Sequence, residues 1–309
     1  MRTRFRGITV REGMLLRGPA GWAEFSPFWD YDAAECVPWL HAALEAAYEG
    51  WPAPVRDRVP VNVTVPAVGP EQAADVVRAS AGCRTAKVKV ADPGHTESDD
   101  TARVEAVADA LGPGGRVRVD ANGAWDPDTA VRRMTALDRA AKGLEYVEQP
   151  CRTVEELAAV RRRVDVPIAA DESIRRAEDP YRVAALQAAD IAVLKVQPLG
   201  GVRACLDIAE RIGLPVVVSS ALETSVGIAA GVALAAALPE LPHACGLATV
   251  ALLTDDVTDP SLQAVDGALP VVRPDVDRAR LDRLRADDAT ADRWRDRLDT
   301  VLARSRSAS

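Results

Sequence analysis

Two lysines stand two positions apart in residues 85–90, a stretch that reads Thr-Ala-Lys-Val-Lys-Val. Side chains alternate between the two faces of a β-strand, so Lys87 and Lys89 share one face and Val88 and Val90 share the other. Two ammonium groups on one face of a buried strand repel each other and lose hydration. We therefore expect strong negative charge nearby and a chemical role for the lysines.

Carboxylates stand at the ends of three later apolar runs. They are Asp120 in Val-Asp-Ala-Asn, Glu148 in Val-Glu-Gln-Pro and Asp171 in Ala-Asp-Glu-Ser, and a further run, residues 191–194, is followed by Lys195. Three converging carboxylates require a cation, and an all-oxygen set without His or Cys suits Mg²⁺ first and Mn²⁺ second. The alternative is that each carboxylate pairs with a lysine or arginine of a neighbouring strand.

Two polar residues accompany these carboxylates. Asn122 lies on the same side of its strand as Asp120 and can orient a ligand or a water on the metal. Glu172 points away from Asp171 and is expected beside the metal ligands, not among them.

A divalent cation beside two lysines is an arrangement for removing a proton from a carbon next to a carboxylate. The metal would bind the substrate carboxylate and stabilise the enediolate as it forms. A lysine whose pKa is lowered by burial, by a second lysine and by the metal would take the proton. The histidines His41, His95 and His243 lie outside these motifs, which argues against histidine-based catalysis. The predicted partner is a small carboxylate molecule.

The chemical residues recur every 23 to 31 positions from Lys89 to Ser219, with a helix-patterned segment in each interval. This alternation predicts βαβ units and parallel strands. Six or more units without a Gly-x-Gly-x-x-Gly motif favour an α/β fold, a modified (β/α)8-type barrel, over a doubly wound sheet. Catalytic residues of such barrels lie at the C-terminal ends of strands. If the strand of Lys89 is first, that of Lys195 is fifth and faces it across the barrel mouth.

The flanking segments lack this alternation. We predict three parts: an N-terminal segment (1–83), the catalytic barrel (84–253) and a C-terminal segment (254–309). The two outer segments are expected to meet in an α+β cap over the barrel mouth.

Within the cap we predict an extended or hairpin segment over residues 6–17, turned around Gly13, a helix over residues 33–48 and a polar, helix-prone segment over residues 278–303. Aromatic residues crowd into residues 22–31, which hold five of the 13 in the chain. Residues 25–31 are therefore either a small satellite core or a lid that closes over an apolar substrate.

Composition excludes several classes of protein. The chain has 309 residues and a net charge of −8, which argues against a nucleic acid or an anionic membrane as its main partner. The longest apolar run, residues 228–238, is too short to span a bilayer, and no signal peptide is evident. Five scattered cysteines without Cys-x-x-Cys spacing are expected to be buried free thiols. We expect a cytoplasmic protein.

These motifs resemble those of the enolase superfamily, and specifically of its muconate-lactonizing subgroup. The resemblance covers nearly the whole chain, including the cap. The segments that carry it are Lys87-Val88-Lys89, Asp120-Ala121-Asn122, Glu148-Gln149-Pro150, Asp171-Glu172-Ser173, Lys195 and the run Ser219-Ser220-Ala221-Leu222-Glu223-Thr224-Ser225.

The resemblance implies a metal-dependent dehydratase that acts on a cyclic hydroxy acid. Lys89 would abstract the α-proton and then protonate the departing hydroxyl, while Lys195 would stabilise the anionic intermediate from the opposite face. Lys87 would hold the substrate carboxylate, and Ser219 and Gly246 would lie near the tail of the substrate.

Two other functions remain open from the sequence. Paired lysines suit proton transfer at a single carbon equally well, as in an N-succinylamino acid racemase or a dipeptide epimerase on the same scaffold. A barrel that binds a metal or ligand without catalysis is the second alternative. A missing lysine or carboxylate would favour it, and none is missing. The chain is short for the subgroup, which favours the dehydratase.

Overall fold

The computed structural model describes residues 1–2, 5, 7–175 and 179–308. The N-terminal elements are the antiparallel strands β1 (Met14–Gly18) and β2 (Gly21–Phe25), the helix α1 (Ala33–Leu44) and the short strand β3 (Arg58–Pro60). Asp32 and Glu35 form a capping box at the start of α1. The helix then continues as a π-helical turn, Glu45–Glu49.

The observed hairpin, Met14–Phe25, lies C-terminal to the extended or hairpin segment predicted over residues 6–17, and the turn predicted at Gly13 is wrong. The chain reverses at residues 19–20, between β1 and β2, and not at Gly13. A side chain at Gly13 would place its Cβ 2.5 Å from the Cβ of Ser26. Glycine at this position lets two segments approach closely, which the sequence pattern alone does not distinguish from a turn.

Seven parallel strands form a curved sheet. They are β4 (Val63–Val65), β5 (Thr85–Lys89), β6 (Arg116–Asp120), β7 (Leu144–Glu148), β8 (Ile168–Ala170), β9 (Ile191–Leu194) and β10 (Val216–Val218). Each strand pairs with its sequence neighbour, so the sheet order is the chain order. The strands are almost wholly buried, as expected for a parallel sheet covered by helices.

A short extended segment, residues 245–246, joins the two edges of this sheet. On one side the backbone N–H of Cys245 donates to Pro60 O (2.7 Å) and that of Asn62 to Cys245 O (2.9 Å). On the other side the N–H of Gly246 donates to Val218 O (2.8 Å). This eighth position closes the ring, which confirms the predicted (β/α)8-type barrel.

The strand of Lys89 is the second strand of the ring, not the first. β4 pairs with β5 and precedes it, although it lies N-terminal to the boundary that we predicted at residue 84. Because β9 is correspondingly the sixth strand, Lys89 and Lys195 still lie four positions apart in a ring of eight. The division into 1–83, 84–253 and 254–309 stays a prediction.

Helices follow the barrel strands on the outside. They are α2 (Pro70–Arg78), α3 (Glu97–Leu111), α4 (Pro127–Ala141), α5 (Val154–Arg161), α6 (Asp179–Ala185), α7 (Val202–Ile212) and α8 (Ser225–Ala237). Thr96 and Thr153 begin α3 and α5 with capping boxes, and Asp126 caps α4. These local signals explain why the predicted helices lie close to the observed ones.

The C-terminal segment returns to the cap. Its strand β11 (Ala268–Pro270) pairs with β3, and its helices are α9 (Arg278–Arg283) and α10 (Asp288–Ala308). Trp294 and Val301 of α10 are buried in the same apolar cluster as Trp39 of α1. The helix-prone segment predicted over residues 278–303 forms two helices, because Asp277 and Asp287 each accept a backbone N–H and so start separate helices.

Two carboxylates of the cap cover the N-termini of two barrel helices. Glu45 of the π turn accepts the N–H of Val202 in α7 at 2.6 Å, and Glu24 of β2 accepts that of Thr224 before α8 at 3.0 Å. Helix N-termini present unpaired N–H groups and favour negative charge. These contacts, which we call the joint, bind the cap to the barrel.

A third buried carboxyl group, Glu223, adjoins the joint at Gly227. A Cβ at Gly227 would lie 2.4 Å from the Cβ of Glu223 and 2.9 Å from Oε2 of Glu24, so both side chains crowd this glycine. Burial raises the pKa of Glu223 to about 7, and the charge of Glu24 adds to the effect. Burial also raises the pKa of Glu24, although Arg11 opposes it.

No helix in the described ranges is long and apolar enough to cross a membrane. All five cysteines are buried and none forms a disulfide, as predicted.

Candidate active site

The C-terminal ends of the barrel strands bring the predicted residues together. Lys89, Asp120 and Glu148 occupy the same level of β5, β6 and β7, because they are paired in the sheet register. Asp171 and Lys195 directly follow β8 and β9. A cavity of about 740 Å³ opens at this end, lined by Lys87, Lys89, Lys195, Asp120 and Asp171, and Glu148 beside Lys87 is buried with 1 % exposure.

Each of the three carboxylates is paired with a lysine. Lys87 Nζ lies 2.7 Å from Oε1 of Glu148, and Lys89 Nζ lies 2.6 Å from Oδ2 of Asp120. Lys195 donates to both oxygens of Asp171, at 2.6 Å each. The lysines and carboxylates thus form a layer of alternating charge across the mouth. This layer supplies the negative charge that we expected near Lys87 and Lys89.

Burial and neighbouring charges shift these groups in different directions. Although burial opposes it, the ammonium groups of Lys89 and Lys87 hold the pKa of Asp120 well below its usual range. Burial raises the pKa of Glu148 to about 8 against the pull of Lys87, and the charges of Asp120 and Asp171 add to the rise. Burial of Glu148 therefore outweighs its pairing with Lys87.

The two remaining ammonium groups differ from one another. Burial disfavours the charge of Lys87, but Glu148 and Asp120 outweigh it and raise its pKa. Burial lowers the pKa of Lys195, and Arg175 contributes, although Asp171 opposes the shift. The two buried ammonium groups are therefore held differently, since carboxylates favour the charge of Lys87 and burial beside Arg175 disfavours that of Lys195.

Asn122 and Glu172 link the mouth to the cap. Lys89 donates to Oδ1 of Asn122 (2.8 Å), whose Nδ2 donates to Oε1 of Glu172 (3.1 Å). Arg175 donates to the same Glu172 oxygen (2.6 Å) and to the hydroxyl of Tyr31 (3.4 Å). A chain of contacts therefore runs from a lysine at the mouth to residues 25–31 of the cap.

The side chains fit a hard divalent cation in type and charge. In the described part of the chain they form no ready-made set of three His, Cys, Asp or Glu ligands, because lysines hold the carboxylate oxygens. The donor set is nonetheless all carboxylate, at three adjacent strand ends, which is the ligand type that a hard divalent cation prefers. Asp120, Glu148 and Asp171 are the residues that would hold such an ion.

Ser219 and Gly246 lie opposite the carboxylates in the closing part of the ring. They pair in a parallel bridge and both line the cavity. A Cβ at Gly246 would lie 2.7 Å from Oγ of Ser219, so a side chain there would displace this hydroxyl. Small residues at these two positions keep this side of the cavity open.

The cap supplies an aromatic wall. Phe28, Tyr31 and Trp39 line the cavity, and Lys89 Nζ lies 5.4 Å from the ring centroid of Phe5, which lines it too. Residues 25–31 are thus both an apolar core and a wall of the cavity.

Sequence reasoning missed Arg175, which lies within contact distance of Asp171 and Glu172. Its position depends on a 3₁₀ turn, Glu172–Ile174, that the apolar pattern does not reveal. A further signal was present in the composition. The chain has 38 lysines and arginines, of which only Lys87, Lys89, Lys142 and Lys195 are lysines. Three of these four lie at the mouth, and arginine cannot replace lysine where a proton must be released.

Comparison with known proteins agrees with this geometry. Residues 70–275 match the family model described as enolase C-terminal domain-like, and residues 1–47 match the one described as enolase N-terminal domain-like. The o-succinylbenzoate synthase of Thermobifida fusca is 69% identical over 98% of this chain and 94% of its own length. That of Mycolicibacterium smegmatis is 58% identical over 96% of this chain and 91% of its own length.

Solved structures share the fold at lower identity. Muconate lactonizing enzyme from Pseudomonas putida superposes with a TM-score of 0.73 at 23% identity, covering 87% of this chain and 92% of its own. The L-Ala-D/L-Glu epimerase from Bacillus subtilis superposes with a TM-score of 0.72 at 23% identity, covering 85% of this chain and 88% of its own. An enolase from Pseudomonas fluorescens with bound magnesium, potassium and tartrate superposes with a TM-score of 0.72 at 23% identity, covering 82% of this chain and 68% of its own. The chain therefore belongs to the enolase superfamily and, within it, to the family of o-succinylbenzoate synthases.

Proposed function

We propose that this protein dehydrates 2-succinyl-6-hydroxy-2,4-cyclohexadiene-1-carboxylate to o-succinylbenzoate, a step of menaquinone biosynthesis. The observation that carries the proposal is the position of Lys89 and Lys195 four strands apart in the ring, at one cavity, with a carboxylate beside each. The high identity to two named synthases supports the same reaction.

In this reaction Lys89, as the neutral amine, takes the proton from the ring carbon that bears the carboxylate. The electron pair released is first held as an enediolate of the substrate carboxylate, and it forms the new ring double bond when the C–O bond to the hydroxyl breaks. The same lysine, now an ammonium, gives its proton to the leaving hydroxyl, so water departs from the face that Lys89 occupies and the ring becomes aromatic. One base serves both steps, which accounts for syn elimination.

Lys195 works from the opposite side of the mouth. Its ammonium would face the ring while negative charge spreads over it, a cation–π interaction that strengthens as the charge develops. Lys87 would hold the substrate carboxylate, and Ser219 and Gly246 would accommodate the succinyl tail.

A divalent cation, Mg²⁺ or Mn²⁺, would supply positive charge for the substrate carboxylate. Asp120, Glu148 and Asp171 would hold the ion, at three adjacent strand ends on one side of the cavity.

A racemase of N-succinylamino acids is the second candidate, and one observation favours it. Lys89 and Lys195 are both hydrogen-bonded to aspartates, and both line the cavity. A racemisation in which one lysine removes a proton and the other returns it requires two such groups at one cavity. The experiment that separates the candidates follows aromatisation of the cyclohexadiene by absorbance and α-proton exchange of N-succinylamino acids in D₂O, both with Mg²⁺.

Aromatisation with little exchange would establish a dedicated synthase. Efficient exchange and racemisation with slow aromatisation would overturn the proposal and assign both lysines to acid–base catalysis. Lys195→Arg sharpens the result, because arginine keeps the charge but does not release a proton. A synthase should keep measurable aromatisation in this variant, whereas a two-base racemase should lose racemisation altogether.

A further inference from the structure

Residues 25–31, the lid, present two different faces. Phe28 and Tyr31 line the cavity and pack edge-on against Trp39, with ring centroids 6.0 and 5.9 Å from it. Trp29, between them, lies on the outside with 42 % of its surface exposed. The side chains that meet a substrate therefore depend on how the lid backbone is held.

Two guanidinium groups donate to the backbone of the lid: Arg11 binds the carbonyl of Ser26, and Arg297 binds three further carbonyls. Arg297 of α10 donates to the carbonyl oxygens of Pro27 (3.2 Å), Phe28 (2.6 Å) and Tyr31 (2.9 Å). The described lid residues beyond Phe25 belong to no helix or strand. Three charge-assisted bonds from one planar group therefore replace the ladder of bonds that a regular element would provide.

Arg297 is itself fixed from the outside. Its guanidinium lies 4.7 Å from the ring centroid of Trp29 and 5.4 Å from that of Trp294. Both indole N–H groups donate to Oε2 of Glu12, at 2.8 and 3.4 Å. The side chain that holds the lid is thus packed among aromatic groups that are tied to the cap.

We infer that Arg297 is a positioning residue that sets the affinity for substrate by holding the aromatic wall of the lid in place. This inference rests on the proposed function, because it concerns binding of a flat ring acid against Phe28 and Tyr31. A loop without its own hydrogen-bond ladder opens readily once its external bonds are lost. The substrate would then have to order the lid as it binds, which weakens binding while leaving the lysines at the mouth unchanged.

The test compares Arg297→Gln with Arg297→Lys and with Arg293→Gln as a matched control. Arg293 belongs to the same helix and stacks on the outer face of Trp29 at 4.3 Å. Two readouts are measured at a temperature well below unfolding: kcat and KM for aromatisation, and hydrogen–deuterium exchange of residues 25–31. We expect Arg297→Gln to raise KM about tenfold with kcat within about threefold, and to speed exchange in the lid. Arg297→Lys should recover part of both effects, and Arg293→Gln should resemble the wild type.

Two results would overturn the inference. Unchanged exchange in Arg297→Gln would show that the lid is held by other contacts, and faster exchange with an unchanged KM would show that its order does not matter for substrate. If the role of Arg297 were purely structural, Arg297→Gln would lower the melting temperature of the protein without changing KM. If the wild-type protein itself fails to aromatise the cyclohexadiene, the proposed function fails, and the exchange data still decide whether Arg297 anchors the lid.

Discussion

Two regions of this protein that contain buried carboxylates differ in what balances the charge. At the mouth, Asp120 and Asp171 face the ammonium groups of lysines. At the joint, Glu24 and Glu45 accept backbone N–H groups at helix N-termini, and Glu45 also pairs with the guanidinium of Arg203 at 2.8 Å. A lysine can release a proton, and neither a backbone amide nor an arginine does so. Substitutions at the mouth should therefore change activity, and substitutions at the joint should change stability.

Lys89→Ala is expected to have the largest effect. It removes the group that takes and returns the proton, so kcat should fall at least about 10³-fold. The thermal melt should stay close to that of the wild type, because the mouth is held by the sheet. Steady-state kinetics and circular dichroism together measure both quantities.

Lys142→Ala is the control for this change. Lys142 is the one lysine of the chain outside the mouth, and it is exposed on the barrel exterior beside Asp109. Its variant should keep wild-type kinetics. Near-normal turnover by Lys89→Ala would remove this lysine from the mechanism and erase the distinction between the two regions.

Asp120→Asn should weaken binding of a divalent cation about tenfold or more, because it removes one of three charges at the proposed site. Electron paramagnetic resonance of Mn²⁺ measures the affinity without any need for activity. Glu24→Gln, which removes a buried carboxylate of the joint instead, should bind Mn²⁺ like the wild type. Equal affinities in all three proteins would contradict the metal assignment.

The mouth could be predicted from the sequence because its geometry is local. Lys89, Asp120 and Glu148 end strands that are neighbours both in the chain and in the sheet, so spacing alone places them together. The count of strands was one too low because β4 has only three residues and ends without a charged group. The prediction that Lys89 and Lys195 face each other across the barrel is unaffected by this error, since it depends only on the number of strands between them.

The contacts that form the joint, and those that hold residues 25–31 in place, could not be predicted in this way. Glu24 accepts the N–H of a residue 200 positions away in the sequence, and Glu45 accepts that of a residue 157 positions away. Neither contact produces a periodic pattern in the sequence. Arg297 is likewise one of many charged residues on a polar helix until the fold places it against the lid. Contacts between distant segments depend on how complete elements pack, which single-residue patterns do not encode.

Glu45→Ala should lower the free energy of unfolding by about 1–2 kcal/mol, because the N-terminus of α7 loses its cap. Values of kcat and KM should change little at temperatures where the protein is folded. Urea unfolding measures the first quantity. Glu49→Ala, in the same π turn but largely exposed, should have a much smaller effect. A large loss of activity without loss of stability would contradict a structural role for the joint.

The smallest expected effect is a pH dependence of stability at the joint. Glu223 has a pKa raised to about 7 by burial and by Glu24, above the ordinary value of 4.5. As the pH rises from 4.5 to about 7, the unfolded chain ionises this group while the folded protein keeps it protonated. The stability associated with its proton is therefore complete below pH 4.5 and is lost as the pH passes through about 7.

Glu223→Gln has no such proton to lose. Its free energy of unfolding, relative to the wild type, should increase by about 1 kcal/mol or more across this interval and then level off. Urea unfolding at several pH values measures the difference, with the exposed Glu240→Gln as a control that should show no comparable trend. A difference that does not vary with pH would mean that Glu223 is ionised in the folded protein. The joint would then resemble the mouth, with a buried carboxylate that is balanced by a nearby cation.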